Sequence, residues 1–346
     1  MSQARDERVF AAADSLRDFM SEHLAASKVE LEAKLIDPFF KNPPFEPHHL
    51  HNAIQMLLKS DRIRRVEEAT RGGRRPPILL HTDVAGRLRE QQDAAARKRL
   101  LMSRYYSYVE GSKGRESSLA GPAGEMAFHS ALVAANVGTH LSTLVRNRPA
   151  LASVKGLPVP VGPLDNGFVL QRLDTHGQPT GPWGVQVLVE VKNIREWIYP
   201  RTQELYQVLR KAALIQRANP ADSFVPMLVC RRAHPTTNFM AKDLGFFVID
   251  SRRQFLPPTH ALIDPAHLDE LRGELGLADL VQGWEESTLG RLVAGLKALQ
   301  KTYDVALAND RWKLTSSDDA IIDAFQVLAS QQTSNRKRDS TLAHLR

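Results

Sequence analysis

Apolar positions recur at intervals of three and four through the first part of the chain, switch to strict alternation in its middle, and return to the longer interval toward its end. Between residues 6 and 36, Phe10, Leu16, Phe19, Met20, Leu24, Leu31, Leu35 and Ile36 are spaced this way among charges, which predicts a helix. The segment PFFKNPPFEP breaks the pattern. After Pro47 a second helix is predicted, with Leu50, Ile54, Leu57 and Leu58 on one face, ending near Ser60. The stretch DRIRRVEEATRGGRRPPILLHT then reads as two strands around a Gly-Gly turn, with Ile63 and Val66 on the first and Ile78, Leu79 and Leu80 on the second. A helix rich in Arg, Gln and Ala is predicted over 84–109, followed by the small and polar boundary SKGRESSLAGPAG.

From Gly121 to about Pro258 the pattern gives a helix at GEMAFHSALVAANV, then strands at LPVPV, NGFVLQRL and VQVLVEVK. A helix at TQELYQVLRKAALIQRA, a strand at FVPMLVC, a short helix at TTNFMAKDL and a strand at FFVID complete it. This order implies an α/β arrangement of helices around a mixed sheet. Beyond Asp264 helices are predicted at LDELRGELGLADL, from Leu289 to Leu307 and at DDAIIDAFQVLAS, and the polar, basic tail TSNRKRDSTLAHLR is expected to be poorly ordered. The chain therefore reads as three regions: 1–110, 111–260 and a helical 261–346.

Composition narrows this picture. At 346 residues and 42% apolar content the chain has enough material for real cores. No stretch approaches the roughly 20 apolar residues of a membrane span, and the charged first thirty residues contain no secretory apolar run, so a cytoplasmic protein without membrane partners is expected. The single cysteine, Cys230, excludes an intramolecular disulfide and any multi-cysteine zinc site; within FVPMLVC it reads as a core thiol. The formal net charge of +7 favours a polyanionic partner.

That charge is concentrated in the first hairpin, where Lys59 to Arg75 holds seven basic residues against three acidic ones. Helices followed by a basic hairpin resemble a winged helix, which implies DNA contact through Arg71, Arg74 and Arg75. The same pattern also suits a solvated connection or a module for protein contacts. His48, His49 and His51 lack a Cys or carboxylate at matching spacing and read as surface residues at a helix start.

The alternating segment carries the chemistry. Val185, Val187, Val189 and Val191 fall on one face of a strand, so Glu190 and Lys192 project together from the other. Asp165, at the start of the preceding strand, can be returned to Glu190 by a hairpin. Two converging carboxylates repel unless a cation lies between them, and hard oxygen donors suit Mg²⁺ or Mn²⁺.

Pro163-Leu164-Asp165, Glu190-Val191-Lys192 and Glu125 in the GPAGE opening of the first helix, in this element order, resemble the PD-(D/E)XK superfamily of restriction-endonuclease-like nucleases over about 121–250. The family's Pro-Asp pair is separated here by Leu164. The resemblance implies a restriction-endonuclease-like core, which with the winged-helix-like first region and the helical last region gives the expected α/β fold: a nuclease-like core between an N-terminal winged-helix domain and a C-terminal helical extension. It implies a Mg²⁺- or Mn²⁺-dependent DNA endonuclease in which Asp165, Glu190, the Val191 carbonyl and Glu125 hold the metal while Lys192 orients the attacking water. It further implies a polar group from the following helix, Gln207 or Gln203. Separately, the loops after VQVLVEVK and FVPMLVC leave neighbouring strands at the same end, so Arg231 and Arg232 are expected to contact DNA backbone, with Trp197, Tyr199 and His234 beside them. Homodimers, and defence or repair proteins as partners, follow from the same analogy. The alternative is a non-catalytic DNA-binding or regulatory protein with an inactive nuclease-like fold.

Overall fold

The alternation in the middle of the chain and the longer period at its ends become an α/β protein built on a five-stranded mixed sheet. The structure, a computed structural model, describes residues 2–36, 45–67, 69–70, 73–74, 76–110, 118–171, 184–301 and 304–345. By packing, the chain divides into two units, one of 1–118 with 260–280 and the other of 119–259 with 281–346. The region expected to stand apart at 261–346 is thus shared between them. Among the described residues, no helix is long and apolar enough to cross a membrane.

In the first unit, α1 (Ser2–His23) is followed by a three-residue strand, β1 (Ala25–Ser27), a short helix Lys28–Leu31 and a π-helical turn Glu32–Ile36. The single helix expected over 6–36 is therefore broken. Leu24 takes φ 59°, turning the chain without a glycine, and Ser27 caps the next helix by accepting the Glu30 N–H at 3.1 Å. After α2 (Pro47–Lys59), strands β2 (Ile63–Val66) and β3 (Ile78–His81) pair antiparallel, and β1 joins the other edge of β3 to give the order β1-β3-β2. Leu50, Ala53, Ile54 and Leu57 bury one face of α2. His49 is buried too: its Nδ1 accepts the Glu46 N–H at 3.3 Å, so it closes the helix start rather than lying on the surface. Helix α3 (Leu88–Val109) places Lys98 against the fully buried Glu30, and Arg97 against Glu274 of the helix Pro265–Glu274.

In the second unit, α4 (Ala120–Ala135) precedes β4 (Gly138–His140), β5 (Asn166–Leu170) and β6 (Val185–Lys192). Then come α5 (Gln203–Ala218), β7 (Phe224–Cys230), α6 (Pro235–Leu244) and β8 (Phe247–Asp250). The sheet order is β8-β7-β6-β5-β4, antiparallel across β4, β5 and β6 and parallel across β6, β7 and β8. LPVPV is not one of its strands. It forms one arm of a small hairpin, Ser153–Val154 with Leu157–Pro158, while the shorter Gly138–His140 takes the sheet edge.

Helices cover both faces of this sheet. Val185, Val187, Val189, Val225, Met227 and Val229 pack against Ala127, Phe128 and Leu132 of α4 and Leu289, Leu292 and Leu296 of α7 (Glu286–Lys301). Leu188, Phe224, Leu228 and Cys230 pack on the other side, against Leu205, Leu209, Ala212 and Ala213 of α5. Trp312 of α8 (Asp304–Ser317), and Phe325 and Leu328 of α9 (Asp319–Ala329), close that second layer. Cys230 is the buried thiol expected of it. The helix expected from Leu289 to Leu307 is described as α7 and α8, with 302–303 outside the described residues. The tail is ordered as α10 (Asn335–His344), because Arg338 is buried and donates to the carbonyls of Leu328, at 2.8 Å, and Ser330.

Candidate active site

The β5–β6 ladder pairs Leu170 with Val185 and runs in register to Asn166 with Val189. One step further brings Asp165, just before β5, opposite Glu190. Asp165 Oδ2 accepts the Val191 N–H at 2.7 Å, which fixes the carboxylate across the end of the pair. Because side chains alternate along β6, the valines enter the α4 layer while Glu190 and Lys192 turn to the α5 side. Glu190 is only 4% exposed. Its Oε1 accepts from Lys192 Nζ at 3.0 Å and its Oε2 from Lys211 Nζ at 3.3 Å.

Lys211 is the site residue that the sequence reading missed. From α5 it also donates to the Pro163 carbonyl at 2.8 Å, tying the segment before Asp165 to Glu190. Glu204, Gln207 and Lys211 recur at helical spacing along α5, and Glu204 lies close enough to Lys192 to help hold its proton. Gln207 is half-buried between them. Gln203 is turned elsewhere, its Nε2 donating to the Ala329 carbonyl at 2.9 Å.

Burial, followed by the neighbouring Glu190 carboxylate, pushes Asp165 up to about 7, with Glu125 adding to the rise and Lys192 and the Val191 N–H opposing it. Burial pulls the Lys192 ammonium down, but Glu190 and Asp165 outweigh it and the net shift is upward. The Asp165–Glu190 pair thus meets two ammonium groups, Lys192 and Lys211, both of them on Glu190.

Glu125 is delivered from the first turns of α4. Gly124 permits this: a Cβ there would stand 2.5 Å from Asn193 Cβ, just past the end of β6. Asn193 in turn donates to the carbonyls of Ala120 at 2.6 Å and Phe255 at 2.7 Å, anchoring the helix start to the strand end. The Glu125 carboxylate itself is engaged by Arg148, whose Nε donates to Oε2 at 3.0 Å and whose second nitrogen donates to Oε1 at 2.6 Å. The Glu125 hydrogen bond raises the pKa of Arg148, and Asp165 adds to the rise.

The structure brings Asp165, Glu190 and Lys192 together, keeps Glu125 within electrostatic reach, and adds Lys211 and Arg148. Arg231 and Arg232, expected at a DNA surface, are instead buried. Arg231 Nε donates to the Arg195 carbonyl at 3.2 Å, and the Arg232 guanidinium lies 4.3 Å from the Trp197 ring centroid. Tyr199 stacks on His234 at 4.6 Å. In the first unit, Arg74 lies in a two-residue ladder, Gly73–Arg74 with Ala69–Thr70. Arg71 and Arg75 lie outside the described residues.

Carboxylates facing each other across adjacent strands offer the hard oxygen donors that a divalent cation takes, and burial, followed by Glu190, raises Asp165. Among the described residues, Glu125 does not join Asp165 and Glu190 in a three-donor cluster; Arg148 holds it. No family model, no curated protein and no solved structure matches this chain.

Proposed function

We propose that the second unit is a divalent-metal-dependent nuclease of the PD-(D/E)XK type, hydrolysing phosphodiester bonds in DNA with Mg²⁺ or Mn²⁺. The observation that carries this reading is the placement of Asp165 opposite Glu190 across β5 and β6, with Lys192 on the Glu190 face. When bound, the cation supplies Lewis acidity toward the phosphate and lowers the pKa of the attacking water. Asp165 and Glu190 hold it, with the Val191 carbonyl beside them. Lys192 orients the attacking water and offsets charge that builds on the phosphate oxygens. Lys211 positions Glu190 and keeps the Pro163 backbone in place. Chemically the step breaks a P–O bond, adds water across it and leaves a phosphate monoester and a hydroxyl.

For the first unit, we read a winged helix. The order helix, strand, helices, two-stranded hairpin, with the first strand beside the last, supports this reading, as do Arg62, Arg64 and Arg65 exposed on and before β2. Its role is to bring DNA to the nuclease in the cytoplasm, in restriction or phage defence or in repair.

The test is incubation with supercoiled, linear, single-stranded and branched DNA in Mg²⁺, Mn²⁺ or EDTA. Metal-dependent cutting of any of these supports the reading. Binding without cutting in every metal favours a regulatory protein built on the same fold.

A further inference from the structure

Twenty-odd residues separate β4 from β5, and in them the chain builds two small hairpins instead of a direct return. The first pairs Thr143–Val145 with Arg148–Ala150 around Arg146 and Asn147, whose φ values of 49° and 60° make the tight turn. Its base is fixed at three points. Leu151 exchanges backbone hydrogen bonds with Leu164 at 2.9 and 3.1 Å, and Ser142 Oγ meets Asn166 Oδ1 at 2.6 Å. Arg148 makes its two hydrogen bonds to Glu125. Gly167 admits Leu151 against β5, since a Cβ there would lie 2.6 Å from Leu151 Cδ2. The hairpin is therefore held rigidly to the strand that begins beside Asp165.

What it presents to solvent is unusual for a tight connection. Leu144 and Val145 are 55% and 54% exposed in sequence, directly before Arg146. The tip residues Arg146 and Asn147 are exposed as well. Not one Asp or Glu occurs between Glu125 and Asp165; Arg148 is taken by Glu125, which leaves Arg146 as the cation at the tip. A solvated turn gains nothing from adjacent exposed Leu and Val. Apolar side chains beside an arginine match a nucleic acid: a cation for a phosphate, apolar groups for sugars and base edges.

The geometry points to the Thr143–Ala150 hairpin as the arm that grips the nucleic acid beside the Asp165–Glu190 site, with Arg146 on a backbone phosphate and Leu144 and Val145 against sugars and base edges. This rests on the nuclease reading for its substrate, but binding separates it from cutting.

The experiment measures the affinity of the full chain for a fluorescent DNA duplex in EDTA across a salt series, comparing the unaltered protein, Arg146→Ala, and Leu144→Ser with Val145→Ser. Circular dichroism of each variant checks that the fold is retained, and these exposed tip positions lie outside both cores. Arg146→Ala is expected to weaken binding several-fold at low salt and to lower the slope of log K against log salt by about one. The serine pair is expected to weaken binding several-fold at unchanged slope. Unchanged affinity in both variants overturns the proposal. Because no metal is present, a failure of the nuclease reading shows separately, as absence of metal-dependent cutting while the hairpin result stands.

Discussion

Glu125 of α4 and Arg148 of the first hairpin form a two-pronged ion pair, at 2.6 and 3.0 Å, beside Asp165. Such fork geometry is among the stronger pairings a carboxylate makes. Glu125 is consequently satisfied by protein alone, and any role as a metal donor requires it to let go of Arg148. Glu125→Gln is expected to leave Mn²⁺ affinity within about twofold in the unaltered background but to lower it about tenfold in the Arg148→Ala background, by isothermal titration. Equal effects in both backgrounds would separate Glu125 from the metal.

Lys211 makes a second prediction. It bonds one oxygen of Glu190 and the Pro163 carbonyl, and touches neither the water nor the phosphate in the proposed reaction. Lys211→Met should lower kcat about tenfold, with Lys211→Arg restoring part of it, whereas Lys192→Met should lower kcat by about a hundredfold or more. Steady-state rates at saturating Mg²⁺ check the ranking.

The elevated Asp165 pKa sets a pH dependence with a definite sign. Asp165 sits near 7 when folded, against an ordinary value of 3.8, so the folded state holds this proton more tightly than the unfolded chain. Its contribution to stability is full below about 3.8 and is lost as pH rises through about 7. In EDTA the unaltered protein should therefore lose more melting temperature between pH 5 and pH 8 than Asp165→Asn does. Asp250, also raised by burial, adds to the loss in both proteins and cancels from the comparison. Mg²⁺ should restore the unaltered protein at pH 8, and its affinity should weaken below about 7 as Asp165 takes up its proton.

In the first unit, Glu30 is fully buried between Lys98 at 2.6 Å and Lys34 at 3.0 Å. Removing one partner of a buried ion pair strands the others. Glu30→Ala should cost about 3–5 kcal/mol by urea denaturation, and Lys34→Ala, on the more exposed side, much less.

The chemistry of β6 was legible in the sequence because alternation is enforced wherever one face is buried: Val185, Val187 and Val189 line one core, which dictates where Glu190 and Lys192 point. Asp165 followed from the antiparallel register. Other features carried no comparable signal. Ala25–Ser27 looks helical, and the turn before it uses Leu24 at positive φ where a glycine would have announced it. Gly138–His140 forms a sheet edge with three residues and little apolar pattern. LPVPV, far more strand-like, leaves Leu157 and Val161 in solvent. Lys211 reads as an ordinary charge on an amphipathic helix, and only its helical spacing from Glu204 and Gln207 hints at a shared face. Arg148 lies beyond a turn whose partner, Glu125, is distant in sequence. Long-range pairing of that kind is set by tertiary packing, which local pattern does not encode.

The most direct measurement is the rate of DNA cleavage by the unaltered chain and by Asp165→Asn at saturating Mn²⁺, with folding of both verified. The Asp165–Glu190 account predicts metal-dependent cutting that falls by about a thousandfold or more in Asp165→Asn. Cutting by Asp165→Asn at a rate within about threefold of the unaltered chain would contradict it.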